Sequence, residues 1–280
     1  MKTTGQGIRI HAQDLERVRK TCAPYTVPVV RKSERLSAIL DQVGLEGSVD
    51  VAALAVALGV SGATIRRDLQ TLSRNQLLVR THGGALSNQA GDEKPTRVKA
   101  ILRQAEKRTI GRAAAAFVEE GAVVGMTGGT TALELSRALA QRRGITVVTN
   151  AINIAAELVG HAGVRLVLIG GLARSSYELV GPAAEAMLAN YHLDVAFIGV
   201  DGLTPEEGCT TYDEMEAQTD LAFLRRARRS VVIADSSKIG RVTFARISRL
   251  SDITDIVTDR NAHPDQLESL ERAGVRVTIV

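Results

Sequence analysis

"VVGMTGGTTALEL", Val123–Leu135, joins a short apolar run to a Gly-Gly-Thr-Thr turn and then to a segment with helical spacing. An apolar run without polar alternation suits a strand buried on both faces, as in a parallel sheet. Glycines and threonines at the junction let backbone N–H groups turn toward a ligand, and the N-terminus of the following helix favours an anion. The stretch predicts a strand, a phosphate-binding loop and a helix.

Toward the C-terminus the alternation repeats. Helical "TALELSRALAQR" leads to strand-like "ITVVTN", helical "INIAAELV" and strand-like "VRLVLIGG". Next come "PAAEAMLANY", whose Pro182 suits the first helical position, and strand-like "DVAFIGVDG". A helix around 214–229 leads into "SVVIADSSK", and after a linking stretch follow "DIVTD", a last helix and "VRVTIV". Upstream, "ILRQAEKRTIGRAAAAFV" reads as one helix. Apolar strands alternating with helices predict an α/β domain with a parallel sheet covered on both faces.

In such a sheet, ligands bind beyond the carboxyl ends of the strands. Those ends carry Thr127, Gly128, Gly129, Thr130 and Thr131, then Thr149 and Asn150, then Gly170 and Gly171. Asp201 and Gly202 follow the fourth, and Asp235, Ser236, Ser237 and Lys238 the fifth. The loop amides and Lys238 are expected to hold a phosphate, and Asn150, Asp201 and Glu216 to hold hydroxyls. A polyhydroxy phosphate fits better than a nucleotide. No G-x-x-x-x-G-K-[ST] is present, and "GMTGG" lacks the G-x-G-x-x-G spacing.

Upstream of this domain, "SERLSAILDQV" places Leu36, Ile39, Leu40 and Val43 on one helical face, with Ser33 as N-cap. "SVDVAALAVAL" forms a short helix capped by Asp50 and stopped by Gly59. Ser61 then caps "SGATIRRDLQTLSR", in which Ile65, Leu69 and Leu72 form the buried stripe. Two helices joined by the tight "LGVS" turn make a helix-turn-helix. Ser61, Thr64, Arg66 and Arg67 lie near the start of its second helix, where a recognition helix meets DNA. Arg66 or Arg67 can fork onto a guanine or bind a phosphate, and the spacing leaves both open. "NQLLVRTHGGAL" reads as a hairpin wing presenting Arg80 and His82 to the DNA backbone. His82 has no second His or Cys nearby, so a wing or structural role outweighs a metal.

Charge agrees with this division. Residues 1–90 hold 12 Lys and Arg against 7 Asp and Glu, while the rest of the chain holds 23 against 24. A basic module ahead of a near-neutral domain points to nucleic acid. No apolar run approaches the ~18 residues of a membrane span. "MKTTGQGIRIHAQDL" has no apolar stretch for a signal peptide. Cys22 and Cys209 lack partners in the sequence and read as free thiols in a reducing cytoplasm. Residues 1–30, broken by Pro24 and Pro28, read as a disordered leader, either a basic arm or the product of a misassigned start. Polar "SNQAGDEKPTR" reads as a hinge. The expected domains are a winged helix-turn-helix at 31–87, a linker at 88–97 and a sensing domain at 98–280.

"VSGATIRRDLQTL" followed by "VRTHGGAL" resembles the signature of DeoR-type (DeoR/GlpR) bacterial transcription regulators. "GGTT", "TVVTN", "IGG", "VGPAAE", "FIGVDG" and "ADSSK" resemble that family's effector domain, and the motif order holds over roughly 33–260. The resemblance implies a winged helix-turn-helix followed by a parallel-sheet domain similar to the ribose-5-phosphate isomerase-like fold. It implies a cytoplasmic homodimer or homotetramer that represses a carbohydrate-metabolism operon, with no cofactor and no metal. Double-stranded operator DNA and a sugar-phosphate effector are the implied partners. Ser61, Thr64, Arg66, Arg67, Arg80 and His82 are implied to face the DNA. One departure matters: many relatives carry Asp-Ser or Asp-Ala before "GTT", where this chain has Thr127-Gly128. Thr can bind a sugar hydroxyl but is a poor base. An isomerase with a fused basic module is the alternative; it needs an acid/base pair, for which Glu216 with Lys238 is the candidate. A purely architectural DNA-binding protein leaves the polar rim without a use.

Overall fold

The computed structural model describes residues 32–74, 77–87 and 93–280. The expected leader, Cys22 and linker residues 88–92 lie outside them. In chain order, the front module contains α1 (Lys32–Glu46), β1 (Ser48–Asp50), α2 (Val51–Ala57), α3 (Gly62–Arg74), β2 (Leu78–Arg80) and β3 (Gly84–Ser87). Its core is the one the helical spacing predicts: Ile39, Leu54, Ile65 and Leu69 are fully buried together with Leu40, Val43 and Leu72. Asp50 accepts hydrogen bonds from the Ala52 and Ala53 amides at 2.7 and 3.1 Å, which closes β1 and opens α2. Gly59 takes the left-handed φ of +63° that ends the short helix. The Ser61 hydroxyl accepts from the Thr64 amide at 3.2 Å and caps α3.

Two details depart from expectation. Helix α1 starts at Lys32, so Ser33 lies inside it rather than capping it. Strand β1 has no sequence signal, yet it pairs antiparallel with β3, which pairs with β2. Gly84 permits that pairing, since a Cβ there would stand 1.8 Å from the Val49 carbonyl oxygen.

Helix α4 (Thr96–Ile101) then leads to α5 (Gln104–Ala114). The strands that follow are β4 (Val123–Met126), β5 (Ile145–Thr149), β6 (Val164–Leu168), β7 (Leu172–Ala173), β8 (Leu179–Val180), β9 (Leu193–Ile198), β10 (Gly202–Thr204) and β11 (Gly208–Thr211). The chain ends with β12 (Ala227–Ile233), β13 (Ala245–Ser248), β14 (Asp255–Thr258) and β15 (Arg276–Ile279). Between them run α6 (Thr130–Leu139), α7 (Ile152–Leu158), α8 (Pro182–Leu188), α9 (Glu214–Arg226) and α10 (Pro264–Arg272).

Seven strands form one sheet, β15-β14-β12-β9-β4-β5-β6, and every pair in it is parallel. Successive side chains feed opposite faces. Val231 and Ile233 enter the core under α5, α6 and α7, whereas Val232 enters the core under α8, α9 and α10. This is the doubly covered sheet that the unalternated apolar runs require.

The expected single helix over 101–118 is broken. Arg103 sits between α4 and α5 at a φ of +50°, a left-handed conformation that costs a non-glycine residue on the order of 1 kcal/mol. Helix α9 stops at Arg226, short of the expected 229, because Ala227 begins pairing with Leu193. The β7–β8 hairpin and the small sheet β10-β11-β13 have no sequence signal. Helix α4 also spans the expected domain boundary at 98: its Val98, with the adjoining Leu102, is buried in the front core beside Ile39 and Leu54. Among the described residues no helix is long and apolar enough to cross a membrane.

Candidate functional sites: a basic helix face and an anion pocket

On α3 the sequence Arg66-Arg67-Asp68 splits by direction. Asp68 is buried, and Arg35 of α1 donates to both of its oxygens at 2.5 and 3.2 Å. Arg66 and Arg67 stay exposed, and among the described contacts no acid pairs with either. The acidic member of the triplet is thus drawn into the core and the outer face of α3 is left basic. The Ser61 and Thr64 hydroxyls lie 2.9 Å apart within the cap at the start of that helix. Arg80 ends β2 and His82 occupies the wing turn; both are exposed. No cluster of His, Cys, Asp or Glu suited to a metal occurs among the described residues.

The second site is a cavity of about 250 Å³ at the carboxyl ends of the central strands. Gly128, Gly129, Thr130, Thr131, Asp201, Glu216 and Lys238 all line it. Gly129 takes a φ of +112° and turns the chain into α6, whose first amides have no intrahelical acceptor. The Lys238 ammonium donates to Asp201 at 2.8 Å, and Lys99 of α4 donates to the same carboxylate at 3.1 Å and to Glu93 at 3.0 Å. Burial pushes the Asp201 carboxyl up, but the two ammonium groups outweigh it and hold it at about 2. Lys107 pairs with Asp235 at 3.1 Å, and Arg103 donates to the Ser236 hydroxyl at 3.0 Å. Lys99, Lys107, Lys238 and Arg103 thus gather around the carboxylates of Asp201, Glu93 and Asp235.

The cavity also holds three acids, Glu216, Glu178 and Asp220. Glu216 accepts from Arg174 at 2.9 Å, from Ser176 at 2.5 Å and from Thr211 at 3.2 Å. Glu178, on the β7–β8 hairpin, packs against Gly128; a Cβ at 128 would stand 2.3 Å from its Cγ. The Gly128 N–H and the Asn150 amide, the latter at 3.2 Å, donate to its carboxyl. Burial, then the charge of Glu216, push Glu178 up to about 8. Burial and the neighbouring Glu178 and Glu216 likewise raise Asp220.

Four predicted residues do not line the cavity. The Thr127 hydroxyl accepts from the Gly199 amide at 3.1 Å and ties the end of β4 to the end of β9. Asn150 is fully buried and holds Glu178 and the Leu179 carbonyl. Gly170 and Gly171 are exposed and lead into the β7–β8 hairpin. Glu216 and Lys238 share the cavity but no hydrogen bond joins them; each is held by other partners. The sequence reading missed Lys99, Arg103, Lys107, Ser176, Glu178 and Asp220. Two signals existed: the four-residue spacing of Lys99, Arg103 and Lys107, and Asp220 one turn beyond Glu216. Nothing local marks Ser176 or Glu178, which arrive through a hairpin the sequence does not announce.

A winged helix-turn-helix with a basic face, joined through a shared helix to a parallel-sheet domain with a charged cavity, is the architecture of a DNA-binding regulator. The family model for the DeoR C-terminal sensor domain matches residues 102–260, and that for the DeoR-like helix-turn-helix domain matches 35–90. The chain is 36% identical over 256 residues to a putative aga operon transcriptional repressor of Escherichia coli O157:H7, covering 90% of this chain and 95% of that one. It is 35% identical to the HTH-type transcriptional regulator GlpR of Haloferax volcanii, over 88% of this chain and 96% of the relative. The chain belongs to the DeoR family of transcriptional regulators. Among solved structures, the full-length sorbitol operon regulator SorC from Klebsiella pneumoniae aligns at 16% identity and a TM-score of 0.41, covering 84% of this chain and 98% of that one. Ribose 5-phosphate isomerase A from Neisseria gonorrhoeae aligns at 19% identity and 0.37, over 51% and 54%. Both likenesses are too loose to carry a functional argument.

Proposed function

We propose that the protein represses a carbohydrate-metabolism operon and releases its operator when a sugar phosphate enters the cavity. The coupling would run through Lys99. That ammonium is shared by Asp201 and Glu93 and sits on α4, the helix whose Val98 belongs to the front core. A phosphate drawn to the amides of Gly129–Thr131 competes with Asp201 for Lys99 and Lys238, so the liganded state favours a different seating of α4. The effect is a population shift set by the ligand's differential affinity for the two seatings. This sharing of one helix by pocket and front core is the observation that carries the reading.

Arg66 and Arg67 would meet the major groove, with Ser61 and Thr64 beside them, and Arg80 and His82 would meet the flanking backbone. One helix-turn-helix reads only a short half-site, so the working form is a homodimer or homotetramer in the cytoplasm, on double-stranded DNA. The protein performs no catalysis on this reading: the candidate pair is engaged elsewhere, Glu216 with Arg174 and Lys238 with Asp201. Fluorescence anisotropy on DNA from upstream of its own operon tests the scheme. Sugar phosphate should weaken binding of the wild type, while Lys238→Ala should still bind the DNA and ignore the ligand. Turnover of a pentose or hexose phosphate by the purified protein would restore the isomerase alternative.

A further inference from the structure

The acids of the cavity are not all held in ion pairs. Asp201 faces Lys99 and Lys238, Glu93 faces Lys99 and Arg174, Glu216 faces Arg174, and Asp235 faces Lys107 and Arg103. Glu178 and Asp220 line the same cavity, and neither has a salt-bridge partner among the described residues. Asp220 is 4% exposed, and its Oδ1 has no hydrogen-bond donor within reach. It stands four residues after Glu216 on α9, so both carboxyls leave the helix on one face. Glu178 comes from the β7–β8 hairpin, into the space that Gly128 leaves by lacking a Cβ. Two buried acids with no ion-pair partner, in a cavity that also carries Lys99, Lys107 and Lys238, are costly unless the ligand supplies what is missing.

We infer that the effector is an amino-sugar phosphate, its ammonium held by Glu178 and Asp220 and its phosphate by the amides of Gly129–Thr131 with Lys238. The inference rests on the sugar-phosphate reading above and narrows it. A sugar hydroxyl could hydrogen-bond to either carboxyl but would leave both without a counter-charge. An ammonium supplies three donors and the charge together. Burial and Glu216 raise the proton affinity of Glu178, and burial, Glu178 and Glu216 raise that of Asp220, which is the behaviour of a site that a cation would relieve.

Isothermal titration of the full chain with glucosamine 6-phosphate, galactosamine 6-phosphate, glucose 6-phosphate, galactose 6-phosphate and inorganic phosphate tests this. At least one amino sugar phosphate should bind tenfold or more tightly than its hydroxyl counterpart. Asp220→Asn and Glu178→Gln, which keep shape and remove charge, should each shrink that ratio toward one while leaving operator affinity without ligand near wild type. Retained operator binding shows that a variant has folded. Equal or tighter binding of the hydroxyl sugars, or an unchanged ratio in both variants, overturns the amine site and leaves the sugar-phosphate reading standing. Binding by none of the five overturns both.

Discussion

At the scale of single residues, the division of Arg66-Arg67-Asp68 is the detail on which DNA binding depends. Arg35 holds Asp68 in the core, so the exposed face of α3 carries two arginines and no opposing acid. Arg66→Ala and Arg67→Ala should each weaken operator binding by about 1–3 kcal/mol, measured by anisotropy at fixed salt. The salt dependence separates their roles: loss of a phosphate contact lowers the slope of log affinity against log salt by about one, whereas loss of a base contact relaxes sequence preference. Unchanged affinity in both variants would remove α3 from the interface. Glu178 makes a second prediction, in pH. It faces Asn150, the Gly128 amide, Glu216, Asp220 and Lys99. Its folded carboxyl titrates at about 8 against an ordinary 4.5, so the native state binds more protons between those values. Its contribution to stability is therefore full below about pH 4.5 and is lost as pH rises through about 8. Glu178→Gln should flatten the fall in melting temperature between pH 5 and pH 8.5, with a residual slope left by Asp220, which is shifted in the same direction. Parallel profiles for the two proteins would mean that Glu178 ionises normally.

At the scale of elements, α4 and the wing matter most. Gly84→Ala puts a Cβ against the Val49 carbonyl and should disrupt the β1–β3 pairing, with operator binding lost and sugar-phosphate binding by the sensor retained. Leu69→Ala, at a fully buried position of α3, should cost the front module about 2–5 kcal/mol in denaturant unfolding. The three helices of this module and the seven-stranded sheet are legible in the sequence because each rests on a periodicity or an apolar run within one segment. Ile65, Leu69 and Leu72 announce α3, and "ITVVT" announces β5. What is not legible depends on distant partners. Strand β1 exists because β3 comes back to pair with it, and Glu178 reaches the cavity only through the fold of β7–β8. The phosphate loop falls between these cases. Its glycines and threonines are plain in the sequence, yet Thr127 turns out to be a tie between strands, and the nearby carboxylate comes from Glu178. The break at Arg103 is invisible for the same reason, since its left-handed backbone is secured by Ser37, Ser236 and Asp235 from outside the segment.

At the scale of the whole molecule, the front module and the cavity share one joint. Val98 and Leu102 anchor α4 and the turn after it in the front core, Lys99 reaches the Asp201 carboxylate, and the Thr130 hydroxyl donates to the Lys99 carbonyl at 3.3 Å. Loop, pocket and DNA-binding module thus meet on a few residues of one helix. Light scattering should give a dimer or tetramer mass for the protein alone, and a monomer that binds operator at full affinity would contradict the two-half-site scheme. The coupling itself is tested most directly by the operator affinity of the full chain, with and without saturating sugar phosphate, in the wild type and in Lys99→Met. The wild type should lose tenfold or more in affinity on adding the ligand. Lys99→Met should bind operator whether or not ligand is present, with ligand occupancy confirmed by titration. A Lys99→Met protein that occupies its sensor and releases DNA as the wild type does would contradict transmission through α4.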